Sequence, residues 1–281
     1  MNDAGQKLQV KKELTPTSKL AKIANASLNT SVKFWFITAA IGQLLFVVYL
    51  LGLYGRGAFR GDLEVLNKVM PKGYVAGDLL GNIAVSLHIF FAVIIISGGL
   101  MQIIPQLRER FPIFHRWNGR IFVLIAFILS FGGLYMVWVR GSVGDVTQHL
   151  GISLNAFLIM FFSAMTLKNA LNRKFALHRK WSLRLFMAAS GVWFFRVGLM
   201  FWVFANKGPV GFNPDTFQGP FLTFWATADS LLPLAVLELY LRSAKFSPTN
   251  RLLFSTLVFI LTILMGIGIF VAFFGLWLPK L

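Results

Sequence analysis

HRWNGR at residues 115–120 and HRKWSLR at 178–184 are the two turns from which the rest of the chain can be read. Each carries a histidine, a basic residue and then a Trp-x-x-Arg step, and each stands just before a long apolar segment. Two bilayer-length apolar runs separate them, and an even number of crossings puts both turns on one face of a membrane bundle. Outward from this pair, apolar runs recur at about 34–54, 79–104, 117–139, 147–167, 181–205, 219–240 and 252–277. Each supplies the roughly 20 apolar positions that a helix needs to cross about 30 Å of hydrocarbon. Lipid offers no partner to open backbone N–H and C=O groups, and the runs are too long for barrel strands. The sequence therefore predicts an all-α, polytopic membrane helix bundle with seven transmembrane helices.

Composition agrees. Fifty-seven per cent of residues are hydrophobic and 13% are charged, with a mean hydropathy of +0.70, a balance suited to helices facing lipid. The net charge of +17 invites a nucleic-acid partner, but the cations cluster between apolar runs and on one side of them, which is a topogenic pattern. No nucleic-acid partner is expected. Seven crossings place 19 Lys and Arg on the side of the N-terminus and the two histidine turns, against seven on the other. The N-terminus should therefore be cytoplasmic and the C-terminus outside. Residues 1–33 read as a basic cytoplasmic tail, and 34–281 as the membrane domain with an outer loop at 55–78. The first apolar run is too long for a cleavable signal and reads as a retained span. Absence of cysteine excludes disulfides, thiolate catalysis, iron–sulfur ligation and zinc–cysteine sites.

Polar residues inside spans mark candidate sites, because lipid penalises them unless they face the bundle interior. Counted at 1.5 Å per residue, His88, Arg196 and Asp229 all fall about 13–15 Å from the outer edge. An Arg196–Asp229 ion pair with His88 beside it is expected, either as a staple between spans five and six or as a pocket. Glu238, further along span six beyond a kink expected at Pro233, is expected to complete this buried polar pocket. A second polar layer sits at the cytoplasmic edge, where His115 with Arg120 and His178 with Arg184 lie near Gln102 and Glu238. The two imidazoles could ligate a b-type haem, with the arginines meeting its propionates. They could equally serve a proton path or bind a quinone. The bland alternative makes them interfacial groups touching lipid phosphates, with Trp117 and Trp181 as belt anchors. His149 reads as a surface residue, and no metal-ligand spacing is present.

These motifs together resemble the uncharacterised bacterial membrane-protein family DUF2306. The resemblance rests on LHIFFAVIIISGGLMQ at 87–102, RERFPIFHRWNGR at 108–120, LHRKWSLR at 177–184 with Arg196 following, and Trp225 with Glu238. It covers about residues 80–240. The chain departs from the family pattern at Leu183, where methionine is more usual, and at Asp229, where an amide-like residue is expected. The resemblance implies a multi-pass protein of the bacterial inner membrane and no settled activity. A more distant similarity to small haem-bearing cytochrome b bundles supports, by association, a redox role. Three functions are thus expected as alternatives: haem- or quinone-associated electron transfer with His115, His178 and His88, a small-molecule or proton-coupled transporter using Arg196, Asp229 and His88, or a non-catalytic membrane subunit or sensor. The transporter reading lacks an evident inverted repeat. The lipid bilayer is the partner common to all three.

Overall fold

The computed structural model describes residues 16–70 and 72–281, so the first fifteen residues of the basic tail lie outside the described part. The described residues are helical nearly throughout. Helix α1, Pro16–Leu50, continues through a π-helical turn at Leu51–Gly55 into α2, Arg56–Arg60. Its stretch from Thr17 to Ile41 contains neither Gly nor Pro, and the rod stops where Gly61 adopts a left-handed φ of 69°. The boundary expected at residue 33 is therefore no structural break. The polar N-terminal segment forms a helix because it has a face to bury: Ala24 and Leu28 are buried, and Ser27 and Ser31 bond the Ser255 hydroxyl at 2.7 and 3.0 Å.

Helix α3, Leu79–Ile103, opens where Asp78 accepts from the Gly81 N–H. The short α4, Pro105–Arg110, leads to α5, Pro112–Tyr135, which runs on as a π-helix over Met136–Gly141. Helix α6, Val146–Leu171, is capped by Asp145, which accepts from the Gln148 N–H at 2.8 Å. That bond, joined by one from the Thr223 hydroxyl, holds the Asp145 carboxyl below the usual carboxylate range. Then come α7, Phe175–Ala189, and α8, Gly191–Ala205, followed by α9, Pro220–Arg242, and α10, Pro248–Ala272. A third π-helical turn, Phe273–Trp277, follows α10.

Among the described residues, six helices are long and apolar enough to cross a membrane, and the pair α7–α8, bent by 50°, makes a seventh if taken as one span. The fifth span is thus broken where a single helix over 181–205 is expected. Ser190 and Gly191 explain the break. The Ser190 hydroxyl turns back to the Phe186 carbonyl at 2.8 Å and accepts from Gln43 Nε2 at 3.0 Å, while glycine gives the least helical stiffness. The kink expected at Pro233 does not interrupt α9.

The helices close into a ring. α1 packs on α3, α3 on α5, α5 on α6 and α6 on α7. α9 lies against α6, α7 and α8, and α10 joins α8 back to α1. A Cβ on Gly268 of α10 would stand 2.5 Å from the Val197 carbonyl oxygen of α8, so this crossing requires glycine. Large apolar side chains such as Leu44, Phe90, Leu124, Phe157 and Phe270 point outward, as a lipid-facing surface demands.

Candidate functional site

The two histidine turns lie at one end of the bundle, close enough that His115 and His178 interact electrostatically. The first turn is clasped to α3: Gln102 donates to the His115 carbonyl and Asn118 to the Gly98 carbonyl, both at 2.9 Å. A Cβ on Gly98 would meet Asn118 Oδ1 at 2.9 Å, so the HRWNGR turn is fitted to the glycine pair in α3. In the second turn, His178 Nδ1 lies 3.0 Å from the Thr166 carbonyl of α6. A carbonyl only accepts, so Nδ1–H is the donor in this bond.

The paired Trp-x-x-Arg steps make the same stack, Arg120 over Trp117 at 4.8 Å and Arg184 over Trp181 at 4.5 Å. There the likeness ends. Arg184 forms a fork with Glu238 at 2.6 and 3.0 Å, while Arg120 is exposed and Trp117 is 58% exposed. A groove at the same end is lined by Asn25, Asn29, Arg179, Lys180 and Arg251, a basic rim suited to lipid phosphates.

Toward the opposite end, the expected Arg196–Asp229 pair is not formed. No acid lies within 4.0 Å of Arg196 and no cation within 4.0 Å of Asp229 among the described residues. Counting residues fixes depth but not the side of a helix from which a side chain leaves, and here the two leave toward different neighbours. Arg196 bends over the Phe46 ring of α1 at 5.3 Å and bonds the Val192 carbonyl at 3.1 Å. Its charge reaches Tyr49, Tyr54 and His88. His88 Nδ1 is buried without a partner, and a Cβ on Gly132 of α5 would stand 3.9 Å from it. His88 therefore belongs with Arg196 and not with His115 and His178, since fourteen residues of α3 separate it from Gln102, about 20 Å. Glu238, expected in the pocket with His88, Arg196 and Asp229, lies nine residues or about 13 Å along α9 from Asp229 and is taken by Arg184.

Asp229 occupies a third place, beside the break in the fifth span. It is 7% exposed and Oδ1 accepts from the Ser230 hydroxyl at 3.1 Å. A Cβ on Gly191 would lie 2.8 Å from both Ser230 Oγ and Asn155 Nδ2, so α6, α9 and the break between α7 and α8 meet at this point. Gln43 reaches the break from α1, and both Gln43 Oε1 and Asn155 Oδ1 are buried acceptors without donors. Four helices thus converge on one polar centre. Sequence reading missed Gln43, Asn155 and Ser190, although each is a polar residue inside an apolar run and could be found by the same rule that found Asp229. His149 sits near the surface at the start of α6, 3.2 Å from the Ser142 hydroxyl and edge-on to Trp138.

This architecture defines the protein as a polytopic α-helical membrane protein with polar centres built inside an apolar bundle. Residues 85–215 match the family described as "Predicted membrane protein (DUF2306)", the stretch that holds both histidine turns and the broken span. Neither the comparison with curated proteins nor that with solved structures produced a match.

Proposed function

We propose that the bundle is a proton-linked transporter of small molecules, with Asp229 as the group that binds the proton and the Ser190–Gly191 break as the hinge of the moving span. One observation carries this reading: a carboxyl buried at a helix break with no cation within 4.0 Å among the described residues. An ionised carboxylate without water or counter-charge is too costly to persist inside a bilayer. Asp229 must take its neutralising charge from a proton or cation that enters the bundle. Bending at Ser190 changes how α7 and α8 cover the α9 carboxyl, so access can pass from one face to the other. Carriers place coupling-ion sites at discontinuous helices for the same reason, because broken helices free polar groups at mid-depth.

The test uses proteoliposomes loaded with a pH-reporting dye. Wild-type protein is expected to relax an imposed pH gradient several-fold faster than empty vesicles, and Asp229→Asn to return the rate to that of empty vesicles. A rate unchanged by Asp229→Asn would remove Asp229 from the proton path.

A second reading, electron transfer with haem b or a quinone between His115 and His178, is favoured by the proton placed on His178 Nδ1, which prepares Nε2 as a ligand. The rest of the donor set does not fit. Arg184 is committed to Glu238 and Arg120 to the exposed Trp117 ring, so neither guanidinium is held for a propionate. A Soret band in the purified protein would decide for this reading.

We further infer an inner-membrane orientation with the histidine turns toward the cytoplasm, from the 19-to-seven distribution of Lys and Arg. The chain lacks cysteine, so single substitutions report topology directly. A membrane-impermeant maleimide should label Asp215→Cys in intact cells and leave Asn172→Cys unlabelled. The reverse pattern would invert the orientation.

A further inference from the structure

We propose that Arg196 is the centre of a binding site for a small monovalent anion, beside Phe46, Tyr49, Tyr54, His88, Trp193 and Trp277. The inference goes beyond proton binding at Asp229 and does not depend on it.

An arginine within a span needs a counter-charge, and among the described residues none lies within 4.0 Å. Its guanidinium has five N–H donors, of which one is matched, by the Val192 carbonyl at 3.1 Å. Stacking over Phe46 offers the charge a ring face but no acceptor.

The surroundings repeat the deficit. Nine buried side-chain N and O atoms among the described residues have no hydrogen-bond partner. Three belong to residues of this one cluster: His88 Nδ1, Trp193 Nε1 and Trp277 Nε1. Trp277 stacks on Tyr49 at 6.0 Å and lies 5.2 Å from Phe46, the ring beneath Arg196. Trp193 stands one helical turn before Arg196 on α8 and packs into the same core. An indole N–H can only donate, so the missing partner of Trp193 and Trp277 is an acceptor. A ligand that accepts several hydrogen bonds and carries one negative charge satisfies the guanidinium and the orphaned donors together.

Backbone geometry singles out the same place. Two of the three π-helical turns, Leu51–Gly55 and Phe273–Trp277, contribute Tyr54 and Trp277. The third begins at Met136, which packs on this core. π-Turns widen a helix locally and recur at functional sites. Halides and short carboxylates share the required chemistry, a single charge with lone pairs on a compact body.

Trp193 and Trp277 make the site self-reporting. Purified protein in a halide-free gluconate buffer would be titrated with chloride and, separately, with formate at constant ionic strength, following tryptophan fluorescence. A saturable change with either is expected, and the arm that saturates at lower concentration identifies a halide or a carboxylate site. Arg196→Gln should weaken the response about tenfold or more, the loss of a charge-assisted bond. Trp277→Phe, which keeps a ring and removes one donor, should weaken it less and serves if Arg196→Gln fails to fold. Bromide soaked into crystals should give anomalous density beside Arg196. No saturable response to either anion, a response indifferent to both variants, or saturation by a short-chain quinone alone would overturn the proposal.

Discussion

Arg140→Ala is expected to cost about 2–3 kcal/mol of stability, because it removes a part-buried ion pair together with two charge-assisted hydrogen bonds. Read in sequence, Arg140 is one more outer loop charge. In the fold its side chain is 5% exposed and lies 3.2 Å from the Asp78 carboxylate. It donates also to the Gly81 carbonyl, and to Asn82 Oδ1 at 2.8 Å. Asn82 in turn bonds both backbone groups of Val75, at 2.9 and 2.8 Å. One guanidinium therefore ties the end of α5 to the start of α3 and to the loop before it. Removing it leaves the half-buried Asp78 carboxylate without its cation and takes a donor from the Gly81 carbonyl and from Asn82 Oδ1. Arg140→Lys restores the charge without the planar fork and should recover only part of the loss. Thermal unfolding in detergent, followed by circular dichroism, measures the effect against Arg108→Ala. Arg108 pairs with Glu109 at 3.7 Å where the two side chains are 49% and 72% exposed, a geometry worth almost nothing. If the two variants melt together, Arg140 is not a tie.

Arg184→Ala should cost about 1–2 kcal/mol, and Arg120→Ala about 0.5 kcal/mol or less, although both occupy the same place in a repeated motif. The difference is Glu238. It forms a two-bond fork with Arg184, and being 35% exposed it keeps enough water to hold the cost below that of a fully buried pair. Truncating Arg184 leaves a carboxylate in the wall of the bundle, whereas truncating Arg120 leaves only an exposed indole. Adding Glu238→Gln to Arg184→Ala should therefore recover part of the lost stability. A double-mutant cycle on unfolding midpoints gives the coupling, and a coupling of zero would mean that the fork is not formed in the membrane.

Much of this architecture was legible in the chain. A helix beginning at Leu79 follows from the apolar run at 79–104, because hydropathy is a local signal. Placement of His115 and His178 at one end follows from parity alone. What failed needed information about azimuth or about partners. Arg196 and Asp229 share a depth but leave their helices toward α1 and toward the hinge, and depth cannot distinguish those. Ser190 escaped notice as a small polar residue in an apolar run, and its role shows only when Gln43 is found bonding to it from a helix 147 residues away. The segment before residue 33 reads as a tail because its Ser, Asn and Lys are polar, yet its Ser and Ala face is what α10 covers. The polar centre was thus half visible, with Asp229 named and its neighbours missed.

Infrared difference spectroscopy between acidic and alkaline samples in lipid tests the central claim most directly, because it sees whether Asp229 takes up a proton. Wild-type protein should show a protonated-carboxyl band on acidification that survives Glu238→Gln and vanishes in Asp229→Asn. A band that persists unchanged in Asp229→Asn would contradict a proton-binding centre at the broken span.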